Sequence, residues 1–118
     1  MTRTEIENSL NDLIDLISKG QLLEAFDKYY HDDVVMQENN EVPTVSKAAN
    51  RSREKQFLDN LVDFRKGIVK ATGIGDNISF AIWEYDYSHN EWGEKKYEQV
   101  AVQQWQDGKI IHEKFIYN

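Results

Sequence analysis

No cysteine occurs in the 118 residues, which excludes a disulfide framework, a thiol nucleophile and a thiolate metal site. Proline occurs once, at Pro43, and there is no repeat, low-complexity tract or linker to divide the chain, so residues 1–118 read as a single domain. No apolar run is long enough to cross a membrane, and the opening MTRTEIENSL lacks the apolar centre of a secretory signal. A soluble, cytoplasmic protein is the expectation. Positive charge is also scarce. Fourteen Lys and Arg face twenty-one Asp and Glu, and the net charge of −7 argues against nucleic acid and anionic membrane as partners.

Apolar and aromatic residues are plentiful enough for one modest core. Thr4-Glu5-Ile6-Glu7 matches a capping box, with Thr4 and Glu7 satisfying free backbone donors. Ile6, Leu10, Leu13, Ile14 and Ile17 then recur at helical spacing, and Gly20 stops that helix. A second helix is predicted over 21–30 and a short strand over 33–38. The stretch 38–46 around Pro43 reads as a loop, and a third helix over 47–62 packs Phe57, Leu58, Leu61 and Val62. The charged run NRSREK reads as that helix's solvated face. Strands follow over 63–74, 77–89, 95–106 and 109–117, with Asp107-Gly108 as a hairpin turn. Helices first and an antiparallel meander after predict an α+β fold with the helices on one sheet face.

One feature of the first strand stands out. Glu38 follows Met36 by two residues, so both side chains leave the same face of a strand. A carboxylate thereby joins an apolar side chain on what reads as an interior face.

The order of elements resembles the SnoaL-like and ketosteroid-isomerase-like members of the nuclear transport factor 2-like superfamily. The resemblance rests on Gly20 between two helices, YYHDDVV entering the first strand, and WQDGKIIHEKFIY forming the last hairpin. It implies a cystatin-like cone: three N-terminal helices packed on a strongly curved, mostly antiparallel sheet, with an apolar pocket inside for a small organic molecule, often in a homodimer. It implies no cofactor. The fold alone does not choose between isomerases, cyclases, dehydratases, hydrolases and binding modules.

The isomerase pattern ADDATVED resembles HDDVVMQE here, which carries the general base onto Glu38. The isomerase oxyanion-hole positions fall near Leu13 and Ala101, which carry no donor, so steroid isomerisation by that mechanism is disfavoured. With Met36 and Glu38 facing inward, the same alignment turns Ile82, Glu84 and Asp86 inward. It also turns Ala101, Gln103 and Trp105 inward on the next strand, and Glu113, Phe115 and Tyr117 on the last. Glu38, Glu84 and Glu113 are the candidate catalytic residues, and the others are candidate pocket residues. Each carboxylate has a bland alternative: Glu38 capping a loop or pairing with an arginine, Glu84 pairing with Arg51, Arg53 or Lys114, Glu113 pairing across the sheet. Several carboxylates in one cone allow proton sharing, a cationic or polyhydroxylated ligand, or oxygen ligation of a divalent metal. No HExxH helix is present and His31, His89 and His112 are scattered, so no metal site is assigned. Trp83, Tyr85 and Tyr87 then fall on the opposite face. A second subunit is the economical cover for them, with shielding by Gln104 and Lys114 as the alternative. Two functions stay open: an acid–base enzyme, or a non-catalytic module that binds a small molecule or only dimerises.

Overall fold

The structure is a computed structural model that describes residues 1–118. Helix α1 spans Arg3–Ser18, one turn's fraction earlier than the expected cap. Thr2, not Thr4, is the N-cap: its side chain accepts from the Glu5 amide while Glu5 accepts from the Thr2 amide. Both Thr2-x-x-Glu5 and Thr4-x-x-Glu7 fit the capping pattern, and the earlier box wins because it adds helical hydrogen bonds without moving the buried stripe Ile6, Leu10, Leu13. Gly20 ends the helix at φ +81°, where a side chain is strained. Its amide donates to Ile17 and that of Gln21 to Leu16, at 3.0 and 2.9 Å, so the last carbonyls are satisfied.

Helix α2 (Leu22–Tyr29) buries Ala25 and Phe26 and runs directly into strand β1 (Tyr30–Glu38). The segment expected to be wholly loop contains a two-residue strand, β2 (Thr44–Val45). It pairs antiparallel with Val35 and Met36, and Pro43, which has no N–H to donate to a ladder, sits just outside the paired residues. Helix α3 (Lys47–Asp59) stops three residues short of the expected end. Leu61 and Val62 belong instead to β3 (Leu61–Gly75). The buried Asn50 fixes α3: its amide nitrogen donates to the carbonyls of Val34, Thr44 and Ser46 at 3.3, 2.9 and 2.9 Å.

Strands β4 (Ile78–His89), β5 (Gly93–Gln106) and β6 (Lys109–Ile116) complete a meander, and the sheet order is β2-β1-β6-β5-β4-β3. All neighbours are antiparallel except β1 and β6. The Asp107-Gly108 turn has both residues at positive φ, +55° and +79°, as a two-residue hairpin of this hand requires. Three register shifts in β3 bend that strand, and the helices lie in the resulting hollow. The main core joins Ile6, Leu10 and Leu13 of α1 and Phe26 of α2 to Val34, Trp105 and Ile110 of the sheet. Each such side chain, fully buried, contributes about 1.5–3 kcal/mol. No helix is long and apolar enough to cross a membrane.

Candidate functional site

The core closes one end of the cone and leaves the other hollow. The hollow is a cavity of about 350 Å³ lined mainly by apolar side chains from all three helices and from β1 and β3–β6. Its rim carries the half-exposed Phe64 and Trp92 and the exposed Arg53, so the cavity meets solvent there. Trp92 stacks on the His89 ring at 3.9 Å, and Phe57 lies against both at 5.7 and 6.0 Å, making an aromatic shoulder at that end.

Parallel pairing of β1 with β6 sets Met36 opposite Glu113 and Glu38 opposite Phe115, and all four line the cavity. Glu113 lies deep, only 3% exposed. A buried polar chain holds it. The Trp105 indole, which only donates, reaches the Ser79 hydroxyl at 2.9 Å. That hydroxyl donates to Gln103 Oε1 at 2.7 Å, and Gln103 Nε2 donates to Glu113 Oε2 at 2.8 Å. The Tyr30 hydroxyl donates to the other oxygen, Oε1. Because the chain begins at a group that cannot accept, the orientation of every member is fixed. Burial pushes the Glu113 carboxyl up to about 7, although both hydrogen bonds favour its charged form.

A second inner carboxyl comes from α3. Glu54 lines the cavity and makes no hydrogen bond or ion pair within the protein. Burial, then the charges of Glu113 and Glu38, raise it to about 7 against the opposing pull of Arg53. Tyr85 and Tyr30 sit among the same charges. Burial and the two inner glutamates push both hydroxyls above their ordinary range. The arrangement places two carboxyls of near-neutral pKa, with two neutral phenols, against an apolar wall. Such a pair can hold one proton and accept another near pH 7.

Glu38 stands differently. Arg53 approaches it at 3.3 Å and also donates to Thr44 at 2.5 Å, so the carboxylate expected to act as base is ion-paired at the rim. The arginine partner from α3 that the sequence allowed for is present, and Glu38 still lines the cavity.

Of the expected inward residues, Met36, Glu38, Ala101, Gln103, Glu113 and Phe115 line the cavity. Trp105 does not. It faces inward like Ala101 and Gln103, but its indole fills the main core, edge-on to Tyr29 at 6.3 Å. Tyr117 lies past the end of β6, its ring tilted against Tyr97 at 5.5 Å and beside Glu38. Burial and that charge push its hydroxyl up to about 12.

Ile82, Glu84 and Asp86 point the other way. Ala81 pairs with Ala101 and Trp83 with Gln99, and directly opposed residues share a face, so 81, 83, 85 and 87 look inward. A slip of one residue in the assumed register inverts the whole set. On the outer face Glu84 meets Lys66 at 2.6 Å, whose hydrogen bond holds its carboxyl below the usual range. Asp86 meets Arg65 at 2.9 Å, and Ile82 lies beside Phe80, Val100 and Val102. The same inversion corrects the aromatic stripe. Trp83 and Tyr85, expected at a subunit interface, stack on each other at 5.4 Å inside the cone, with Trp83 only 4% exposed. The chain's own helices cover them.

Glu54 was missed although its signal was present. It precedes Phe57 by three and Leu58 by four residues, so it shares the face already assigned to packing.

The fold recurs in proteins of known structure. A protein described as a SnoaL-like polyketide cyclase from Mesorhizobium loti superposes with a TM-score of 0.84 at 23% identity, covering 98% of both chains. An epoxide hydrolase of the LEH-like type from M. tuberculosis gives 0.79 at 10% identity, over 98% of this chain and 84% of that one. An NTF-2 like protein of unknown function from Burkholderia xenovorans gives 0.73 at 17% identity, over 98% and 84%. Comparison with curated proteins found no match. The family model of the SnoaL-like domain matches residues 1–117, and the chain therefore belongs to the SnoaL-like domain family.

Proposed function

We propose that the cavity takes up a small, largely apolar organic molecule and that Glu54 and Glu113 move protons on it. The observation that supports this reading is the pair itself: two carboxyls raised to about 7 in one solvent-reachable, apolar cavity. At neutral pH one serves as acid and the other as base, and the Tyr30 and Tyr85 hydroxyls stay protonated as hydrogen-bond donors. The reaction class is cofactor-independent isomerisation, cyclisation or elimination. The cyclase and epoxide hydrolase among the structural relatives are examples of what this fold accommodates in other proteins.

A second reading is a non-catalytic binding module. In its favour, both Glu113 oxygens already accept hydrogen bonds, and Leu13 and Ala101 line the cavity without offering a donor to an oxyanion. The test is a carboxyl ¹³C titration of the full chain, followed by solvent-deuterium exchange into a panel of small cyclic ketones. Proton transfer predicts two carboxyls titrating near 7 and exchange that collapses in Glu113→Gln and Glu54→Gln. Titration of both near 4.5 refutes it.

A further inference from the structure

The charge lining the cavity is unbalanced. Its charged side chains are Glu38 from β1, Arg53 and Glu54 from α3, and Glu113 from β6. The lining residues of α1, α2 and β3 carry no charge, and those of β4 and β5 contribute only tyrosines, whose hydroxyls lie above their ordinary range. The single cation, Arg53, is committed to Glu38 and Thr44 at the rim. No cation is therefore hydrogen-bonded to either inner carboxyl, and Arg53 acts on Glu54 only from a distance while it holds Glu38 and Thr44. Glu54 has no hydrogen-bonding partner at all, and each Glu113 oxygen accepts one bond and retains room for another. Beside them Trp83 and Tyr85, stacked on each other at 5.4 Å, line the cavity with apolar aromatic surface.

We propose that the ligand of this cavity is an apolar monocation, such as a hydrophobic amine, whose charged nitrogen sits between Glu54 and Glu113 while its apolar body lies against the aromatic lining. The proposal rests on the proton-transfer reading of the same site and names its substrate class. The cation offsets one carboxylate while the other remains free to move a proton. An anion adds to the existing charge, and a neutral ligand leaves the ionised pair uncompensated. Binding of a cation favours the ionised carboxyls, so it releases protons. Affinity rises with pH up to about 7, by about tenfold per pH unit for each proton released.

Phenyltrimethylammonium is a suitable probe because it does not titrate. Its neutral isostere is tert-butylbenzene, and benzoate is the anionic control. Binding to the full chain is followed by NMR shifts of the Trp83 indole and the Gln103 side-chain amide. The expected result at pH 8 is at least tenfold tighter binding of the cation than of the isostere, with benzoate weakest. That preference shrinks as pH falls to 5. In Glu54→Gln the cation loses its advantage and the isostere binds as before. Glu113→Gln repeats the measurement at the other carboxyl. Equal affinity for cation and isostere at pH 8, or a preference that survives in both variants, overturns the proposal. So does a lack of shifts with the cation at millimolar concentration. Carboxyl titration near 7 with no preference for the cation overturns the ligand's charge alone and leaves the proton-transfer reading standing.

Discussion

Glu113→Gln tests the physical basis of the site without a substrate. Burial holds the Glu113 carboxyl at about 7, against 4.5 for the ordinary group. The folded protein therefore keeps this proton between pH 4.5 and 7 while the unfolded chain has already lost it. Stability from this group is fully present below 4.5 and is lost as pH rises through 7. At about 1.4 kcal/mol per pH unit, the loss is about 3 kcal/mol. The side chain is 3% exposed, so little solvent screening reduces that figure. Glutamine is nearly isosteric and does not ionise. It accepts from Gln103 through its oxygen, and its nitrogen donates to the Tyr30 oxygen once that hydroxyl rotates. At pH 5 the variant is then close to wild type or less stable by up to about 1 kcal/mol. At pH 8 it is more stable than wild type, by about 2 kcal/mol. Urea unfolding of both proteins at pH 5, 6, 7 and 8 measures the crossover. If Glu113→Gln is destabilising by more at pH 8 than at pH 5, the Tyr30 and Gln103 hydrogen bonds outweigh burial. The carboxylate is then ionised throughout, and the raised pKa is wrong.

Three further outcomes follow from the same contacts. Trp83→Ala removes a cavity wall and lowers stability by about 3 kcal/mol, with no change of mass in light scattering. Loss of a dimer on this substitution would show that the stripe is an interface after all. Asn50→Ala strips the donor shared by three carbonyls and costs about 2 kcal/mol in urea unfolding; a change under about 0.5 kcal/mol would mean α3 is held by other contacts. Arg53→Gln removes the only cation in the lining, so the Glu54 carboxyl moves further up from about 7 in a ¹³C titration, and a downward shift contradicts the assigned geometry. Its effect on stability is under about 1 kcal/mol because the pair with Glu38 lies at the rim.

The elements were legible because they rest on local chemistry. Gly20, the Asp107-Gly108 turn and the Ile6–Leu10–Leu13 stripe each act over a few residues, and the helices and the β3–β6 meander follow from them. The facing of β4 was not legible, because it depends on register with β5, and a single residue of slip exchanges its two faces. A better signal lay in charge. The basic residues Arg65, Lys66 and Lys70 of β3 pair with Asp86 and Glu84 of β4 and Glu98 of β5. Cross-strand pairs of that kind place those carboxylates on an exposed face and leave Trp83 and Tyr85 for the interior. Trp105 keeps the inward alternation of β5 but packs into the main core rather than lining the cavity, because the hollow does not extend to that end of the strand.

Glu38 and Glu54 received opposite treatments from one stretch of α3. Arg53 and Glu54 are consecutive on a helix, so their side chains leave it about 100° apart. Arg53 turns to the rim and pairs with Glu38, whose side chain is 35% exposed. Glu54 turns into the cavity that Glu113 also lines, where no cation is hydrogen-bonded to it and Arg53 opposes its raised pKa only from a distance. Compensation is thus supplied where water would have screened the charge in any case, and withheld where the surroundings are apolar. A design for stability alone would do the reverse, because an unpaired carboxyl is tolerated at the rim and expensive inside. Glu113 is buried and Glu54 half-buried beside it in the same cavity, and no cation bonds to either of them. The helix already buries Asn50 and half-buries Phe57 on the same face, and an apolar residue at position 54 would extend that packing. The inner pair thus lacks the bonded cation that Glu38 has in Arg53, and that difference is what the proton-transfer reading of Glu54 and Glu113 rests on.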